Sequence, residues 1–455
     1  MKQINNFEKQ ILNKYQMQNS TKPLFIFILL FSFSKFSYSQ SFSSYFTGDT
    51  SNVSTTTQGV TVLMGGATEN DNAMIWFLQH SGGGDIVVVR ATGSNGYNTY
   101  LYSTLGVPVN SVETIVFNSA AASFDPYVIN QIRNAEALWI AGGNQWDYIS
   151  YWKNTPIDTA INYLINVKHV PIGGTSAGMA IQGSIVNTAQ NGSVTSATAL
   201  NNPYNSDVTL MKDSFLFKPI LNNVITDTHY DNPDRKGRHV TFLARIFQDY
   251  GVPVNGIACD EYTAVCIDTN GIGYVYGDYP ANDDYAYFLQ PNCILPNSPE
   301  NCTIGQPLLW ARNNEAVKVY KVPGTQNGIN TFNLNDWRTG SGGTWQNWFV
   351  SSGVLNIDTS ASAPNCPISI NEMDLSVSKE INVYPNPSKN IITISISEII
   401  TPKTITIFNS IGEKLYEKEN PTHLNQLNIS LWNKGIYFLK VIGLNTSSVL
   451  KIIKD

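Results

Sequence analysis

Ser176 stands in the run Gly174-Thr175-Ser176-Ala177-Gly178, which fits the G-x-S-x-G pattern of a nucleophile elbow. A serine on a tight strand-to-helix turn lifts its Oγ clear of the sheet, and the flanking glycines leave room for neighbouring backbone. The amide that follows, that of Ala177, is then placed to donate to an oxyanion. Such a serine needs a base. Of the five histidines, His229 is the best placed. It follows the apolar run Val224-Ile225-Thr226, so it should arrive at the same edge of the sheet as Ser176. A third group must orient the imidazole. The apolar run Gly256-Ile257-Ala258-Cys259 delivers two carboxylates, Asp260 and Glu261, and composition does not choose between them. The chemistry such a set performs is acyl transfer through a covalent serine intermediate.

The elements that must position these residues are legible as short apolar runs at 59–64, 86–89, 112–117 and 137–141, with the elbow run at 170–172. Helical patterns lie between them. In 69–80, Ala73, Trp76, Phe77 and His80 share one face, and His80 reads as a core or helix-end residue. Thr155 predicts an N-cap with Pro156 at the first helical position, and Ile157, Ala160, Ile161 and Leu164 form the apolar face. Strands separated by helices predict an α/β fold, a mostly parallel sheet with helices on both faces. Sites in such sheets lie beyond the carboxyl ends of the strands. Gly65-Gly66, Gly142-Gly143 and Ser176 all fall there. The polar stretch 187–213 reads as an excursion near the site. Arg235, Lys236 and Arg238, just before the helical stretch 240–248, are candidates to meet a substrate carboxylate. Asn270-Gly271 predicts a two-residue hairpin turn, and 315–321 and 331–334 look like added strands.

Both ends of the chain differ from this middle. Lys22 precedes an apolar run at 24–33, and Ser37-Tyr38-Ser39 offers small residues to a signal peptidase. A signal peptide over 1–39 is expected, with Gln40 as the new N-terminus and Met17 as an alternative start. The Ser/Thr-rich segment 40–57 is expected to be a flexible leader. The α/β domain is expected over 58–359 and a linker over 360–380. From Ile381 onward, alternating strands at 392–396, 403–408, 427–431 and 435–441 predict a small all-β sandwich over 381–455.

The chain has 28 Lys+Arg against 34 Asp+Glu, so it carries no basic footprint for nucleic acid. About 300 residues remain between the two ends, enough for one large core. Cys293 and Cys302 flank a Pro/Asn-rich loop and are candidates for a disulfide outside the cell. Cys259 and Cys266 lie in apolar runs and read as core. No cysteine has metal-ligand spacing with a histidine, so neither a metal nor another cofactor is expected. Oligomeric state is not encoded in any pattern seen, a homodimer being one arrangement considered.

With Ser176 and His229 placed, residues 60–277 resemble the cyanophycinase family of serine peptidases. The matching stretches are L-M-G-G-A-T-E-N, S-G-G-G-D-I-V-V-V-R-A-T-G-S-N-G-Y-N, A-G-G-N-Q, G-G-T-S-A-G-M-A, D-T-H-Y…D-R-K-G-R and G-I-A-C-D-E-Y-T-A. The resemblance implies a fold shared with class I glutamine amidotransferases and dipeptidase E. It implies Ser176 as nucleophile, His229 as base and Glu261, not Asp260, as orienting acid. The oxyanion is expected to meet the amide of Ala177 and the Gly142-Gly143 loop, with Gly143 as second donor. The resemblance also implies a pocket lined by Gln145, Asp227, Arg235 and Arg238, with Thr228 where the family has glutamine. That pocket would receive the β-Asp-Arg units of cyanophycin, an arginine-bearing poly-aspartate. Two further departures stand in the same region: Pro233 replaces an arginine, and Asn144 replaces an acid. A lost arginine removes a carboxylate partner worth about 1.5–3 kcal/mol. The expected activity is therefore a secreted cyanophycinase-like exopeptidase. The alternatives are an aspartyl dipeptidase-like enzyme on another acidic peptide, or a silent secreted binding protein. The tail resembles the sorting domain of type IX secretion cargo in Bacteroidetes, on V-Y-P-N-P, I-F-N-S-I-G-E-K-L and G-I-Y-F-L-K-V. It implies the secretion machinery as partner and an extracellular or outer-membrane surface location.

Overall fold

The computed structural model describes residues 40–212, 214–365, 381–397, 400–409, 413–443 and 447–455. The signal peptide expected over 1–39 and most of the expected linker lie outside the described residues.

Five parallel strands form the centre of a ten-stranded sheet. In spatial order they are Ser111–Phe117, Asp85–Arg90, Ala137–Ile140, Ile172–Thr175 and Thr61–Met64. Successive side chains of a strand alternate between faces, and here both faces are apolar. Val87, Val89, Leu138 and Ile140 pack with helices Pro126–Asn134, Gln145–Trp152 and Pro156–Tyr163. Ile86, Val88, Ala137 and Trp139 pack on the other side with helix Asp71–Gln79. Thr155 caps its helix as its sequence predicts, its Oγ1 accepting the Ile157 amide at 3.3 Å. His80 ends the Asp71–Gln79 helix, its Nδ1 2.7 Å from the Trp76 carbonyl.

One edge of this sheet departs from expectation, and the other bears out the expected Asn270-Gly271 hairpin and added strand. Phe42–Gly48 is not a loose leader. It pairs antiparallel with Ser111–Phe117 along its whole length, and Ser44 Oγ donates to Glu113 Oε1 at 2.5 Å. A half-exposed edge strand tolerates Ser and Thr, which is why composition alone suggested disorder. At the other edge the sheet turns antiparallel, through Ala264–Ile267, Ile272–Tyr276, Asn330–Asn333 and Gly340–Ser341.

A second sheet of eight strands corrects the picture of one mostly parallel sheet. Its order is Val354–Asp358, Thr344–Ser351, Val317–Pro323, Tyr285–Pro291, Asn255–Cys259, Val224–Asp227, Ile185–Asn187, Leu210–Lys212. Only the pairings of Val224–Asp227 with its two neighbours are parallel. The two sheets share a core in which Leu63, Val265, Val275 and Phe332 meet Ile257, Cys259, Phe288 and Val322. The Phe288 and Phe332 rings stack there with centroids 4.2 Å apart. On the far side of the second sheet, Val240, Leu243 and Ala244 of helix Lys236–Tyr250 pack with Ile225, Ala258 and Leu289.

The expected Cys293–Cys302 bridge is not formed. Cys293 is disulfide-bonded, whereas Cys302 is a free thiol buried with Leu308 and Trp310. Cys259 and Cys266 are free and buried, in strands as expected. The C-terminal region carries a three-stranded and a four-stranded antiparallel sheet. Ile392 and Ile394 of one meet Ile405, Ile407 and Leu439 of the other in a single core. Among the described residues, no helix is long and apolar enough to cross a membrane.

Candidate active site

The elbow is built as its glycines demand. Ser176 lies between strand Ile172–Thr175 and the short helix Ala177–Ala180, at φ 52° and ψ −116°. A non-glycine residue held there stores about 1–3 kcal/mol of backbone strain, which surrounding structure must offset. The Ser176 amide donates to the Met64 carbonyl at 3.0 Å. A side chain at Gly174 or Gly178 would run into backbone, the Gly178 and Ile140 carbonyls respectively. The Ala177 amide opens the helix, where first-turn amides lack an intrahelical acceptor. Gly142 lies against the Ser176 side chain, and Tyr148 Oη donates to the carbonyls of Ala141 and Gly142 at 2.9 Å each. Gly143 takes φ 155°, a conformation that suits glycine.

The candidate base comes from the other sheet. His229 follows strand Val224–Asp227, so the expectation that it shares the sheet of Ser176 is corrected. The two sheets bring their carboxyl edges together instead. His229 Nε2 is 2.8 Å from Ser176 Oγ, and Nδ1 is 2.6 Å from Glu261 Oε1. A carboxylate can only accept, so Nδ1 carries the proton and Nε2 accepts from the serine hydroxyl. Gly66, at φ 125°, packs against the imidazole so closely that any side chain there would meet the ring. Glu261 also accepts from Asn232 Nδ2 at 3.3 Å. Burial pushes its carboxyl up, but the hydrogen bonds from His229 and Asn232 outweigh this, and the net shift is down. Its neighbour has the opposite character. Asp260 is 2% exposed, its nearest hydroxyl is Tyr287 at 3.4 Å, and burial beside Asp231 pushes its pKa up to about 8. Glu261 is thus the acid that reaches the base.

A cleft of about 320 Å³ opens beside Ser176 and His229, lined also by Ala67, Glu69, Arg90, Tyr97, Gly142 and Thr175. Tyr97 Oη donates to Glu69 Oε1 across it. Burial pushes the Glu69 carboxyl up.

Residues 96–272 match the family model described as peptidase family S51. Residues 382–455 match the model of the secretion system C-terminal sorting domain. The sorting domain indicates export by a type IX secretion system, to the cell surface or beyond. No curated protein matches the sequence. Among solved structures, the chain is similar to a peptidase from an acI-B1 Actinobacterium, at 15% identity and TM-score 0.37. That likeness covers 51% of this chain and 91% of the other. It is similar also to a Listeria monocytogenes EGD-e protein assigned as peptidase E, at 16% identity and TM-score 0.31. There the cover is 48% and 98%.

None of the five expected substrate-binding residues lines the peptidase cleft. Asp227 and Arg238 are 3% and 4% exposed and satisfy one another. Arg238 Nε donates to Asp227 Oδ2 at 2.9 Å, Nη2 pairs with Oδ1, and Nη1 donates to Ser193 Oγ at 2.9 Å. Burial alone would raise the Asp227 carboxyl; the Arg238 guanidinium reverses this and holds it below the usual range. A charge already paired in the interior has little left to offer a substrate. Gln145 Nε2 donates to the Asn187 carbonyl at 2.6 Å. Thr228 is buried, and its carbonyl accepts from half-buried Arg235 Nη1 at 3.0 Å. Glu69, Arg90 and Tyr97 were missed by sequence reasoning, though Glu69 sits within the first of the matching stretches quoted above and Arg90 and Tyr97 within the second.

Proposed function

We propose that this protein is a secreted serine-type peptidase that works through an acyl-enzyme on Ser176, with His229 as base and Glu261 orienting it. The observation that supports this most is the unbroken chain Oγ–Nε2 at 2.8 Å and Nδ1–Oε1 at 2.6 Å, ending on a carboxylate with a lowered pKa. His229 takes the Ser176 proton as Oγ attacks the scissile carbonyl. The amides of Ala177 and Gly143 receive the oxyanion. The protonated imidazole then gives its proton to the leaving amine, and His229 activates water to release the acyl group. No step calls on a cofactor.

The finer reading is a cyanophycinase-like exopeptidase that releases β-Asp-Arg dipeptides. The second reading, an aspartyl dipeptidase-like enzyme on another acidic peptide, is favoured by the closed Asp227–Arg238 pair together with Pro233 and Thr228. One experiment addresses both. Purified protein and a Ser176→Ala control are incubated with cyanophycin, and products are read by mass spectrometry. Dipeptides from the parent alone support the finer reading. An inert polymer with Ser176 still labelled by a fluorophosphonate supports the second. Absence of label rejects the serine mechanism.

A further inference from the structure

Among the residues lining the cleft, Arg90 carries the single fixed positive charge. It ends strand Asp85–Arg90, at the carboxyl edge that also delivers Ser176. Its guanidinium is held by backbone alone. Nε donates to the Thr92 carbonyl at 2.5 Å and Nη1 to the Ser94 carbonyl at 3.2 Å. Gly93, at φ 97°, lies so close beneath it that a side chain there would displace the head group. The Tyr97 ring lies 5.7 Å from the Arg90 Cζ. Among the described residues, no carboxylate comes within ion-pair distance, 4.0 Å, of Arg90. Glu69, the one acid lining the cleft, is engaged by the Tyr97 hydroxyl instead.

A guanidinium oriented by neutral carbonyls, half-buried and outside ion-pair distance of the nearby Glu69, is preorganised for a carboxylate from outside. We propose that Arg90 is a specificity-determining residue that holds a carboxylate of the substrate residue that acylates Ser176. The inference rests on the serine peptidase reading and narrows its substrates to the acidic class. An aspartyl side chain meets the requirement. So does the α-carboxylate of an arginine attached to an aspartyl side chain.

Two covalent serine probes test it, diphenyl phosphonates of aspartate and of asparagine, which differ by a carboxylate against an amide. Second-order inactivation rates are measured on the full chain and on Arg90→Met and Arg90→Lys, beside a fluorophosphonate with no side chain. Parent protein is expected to favour the acidic probe about 10- to 100-fold. In Arg90→Met this ratio collapses toward one while the fluorophosphonate rate stays within about 3-fold, and Arg90→Lys keeps part of the preference. A ratio unmoved in Arg90→Met overturns the proposal. So does an equal fall with all three probes, which would make Arg90 a staple for the 92–94 loop. If Arg90→Met does not fold, Arg90→Gln is read by the same ratio. A parent that takes the fluorophosphonate yet shows no acidic preference overturns Arg90 alone. A parent that takes no label at all overturns the serine mechanism and this inference together.

Discussion

The molecule sets an arginine near a carboxylate in two places, paired in one and unpaired in the other. At the end of the second sheet, Arg238 closes on Asp227 and both leave solvent. At the end of the first, Arg90 stands beside Glu69 in an open cleft without pairing to it. The first arrangement braces the segment that carries His229, since Asp227 is two residues away. The second leaves its charge available. Residue type therefore says little about which arginine meets a substrate. What decides is whether a counter-ion has already been supplied by the fold.

The contrast can be broken from several sides. The largest effect is expected at the acid between the two sites. Glu261→Gln should lower kcat about 10³- to 10⁴-fold with folding intact, because the charge facing the imidazolium is lost and the amide NH2 can turn to Nδ1 and fix the wrong tautomer. Steady-state rates beside circular dichroism would check it. Opening the buried pair acts on stability instead. Asp227→Asn should cost about 3–5 kcal/mol in denaturant unfolding, by leaving Arg238 unpaired in the interior. Arg90→Met should change stability by less than about 0.5 kcal/mol. Equal losses at the two sites would erase the distinction drawn between them.

Asp260 sharpens the comparison by pH. Its folded pKa is raised to about 8 against an unfolded value of about 3.9. The folded state therefore holds a proton that the unfolded state has released, and stability falls as pH rises through that window. Asp260→Asn should flatten the decline, gaining on the order of 2–3 kcal/mol relative to the parent between pH 5 and pH 8 in urea titrations. A modest effect is expected outside both sites: Thr155→Ala should cost about 1 kcal/mol through loss of the helix cap.

The elbow, the candidate base and the Thr155 cap were legible because each is written in a few contiguous residues, whereas composition left Asp260 and Glu261 open and the family resemblance alone pointed to Glu261. Ser176 needs its own glycines, and His229 and Glu261 each ride directly behind an apolar run. The partition into two sheets was not legible. Val224-Ile225-Thr226 and Pro171-Ile172 are equally apolar, and nothing local states which strand each will pair with. The Phe42–Gly48 edge strand was missed for the same reason, because its partner lies beyond position 110. Asp227 and Arg238 looked like binding residues because a motif carries identity without burial. Arg90 was passed over because its meaning comes from the loop carbonyls of Thr92 and Ser94 and from a neighbouring carboxylate, Glu69, that does not pair with it.

The proposed nucleophile belongs to one sheet and its proposed base and acid to the other, so a working triad would be a coincidence signal for tertiary assembly. A chain with its elbow formed but its sheets undocked has an inert hydroxyl, since no imidazole stands at 2.8 Å from it. Reactivity toward a serine probe thus reports the closing of the Leu63–Phe288–Phe332 core and not merely local order.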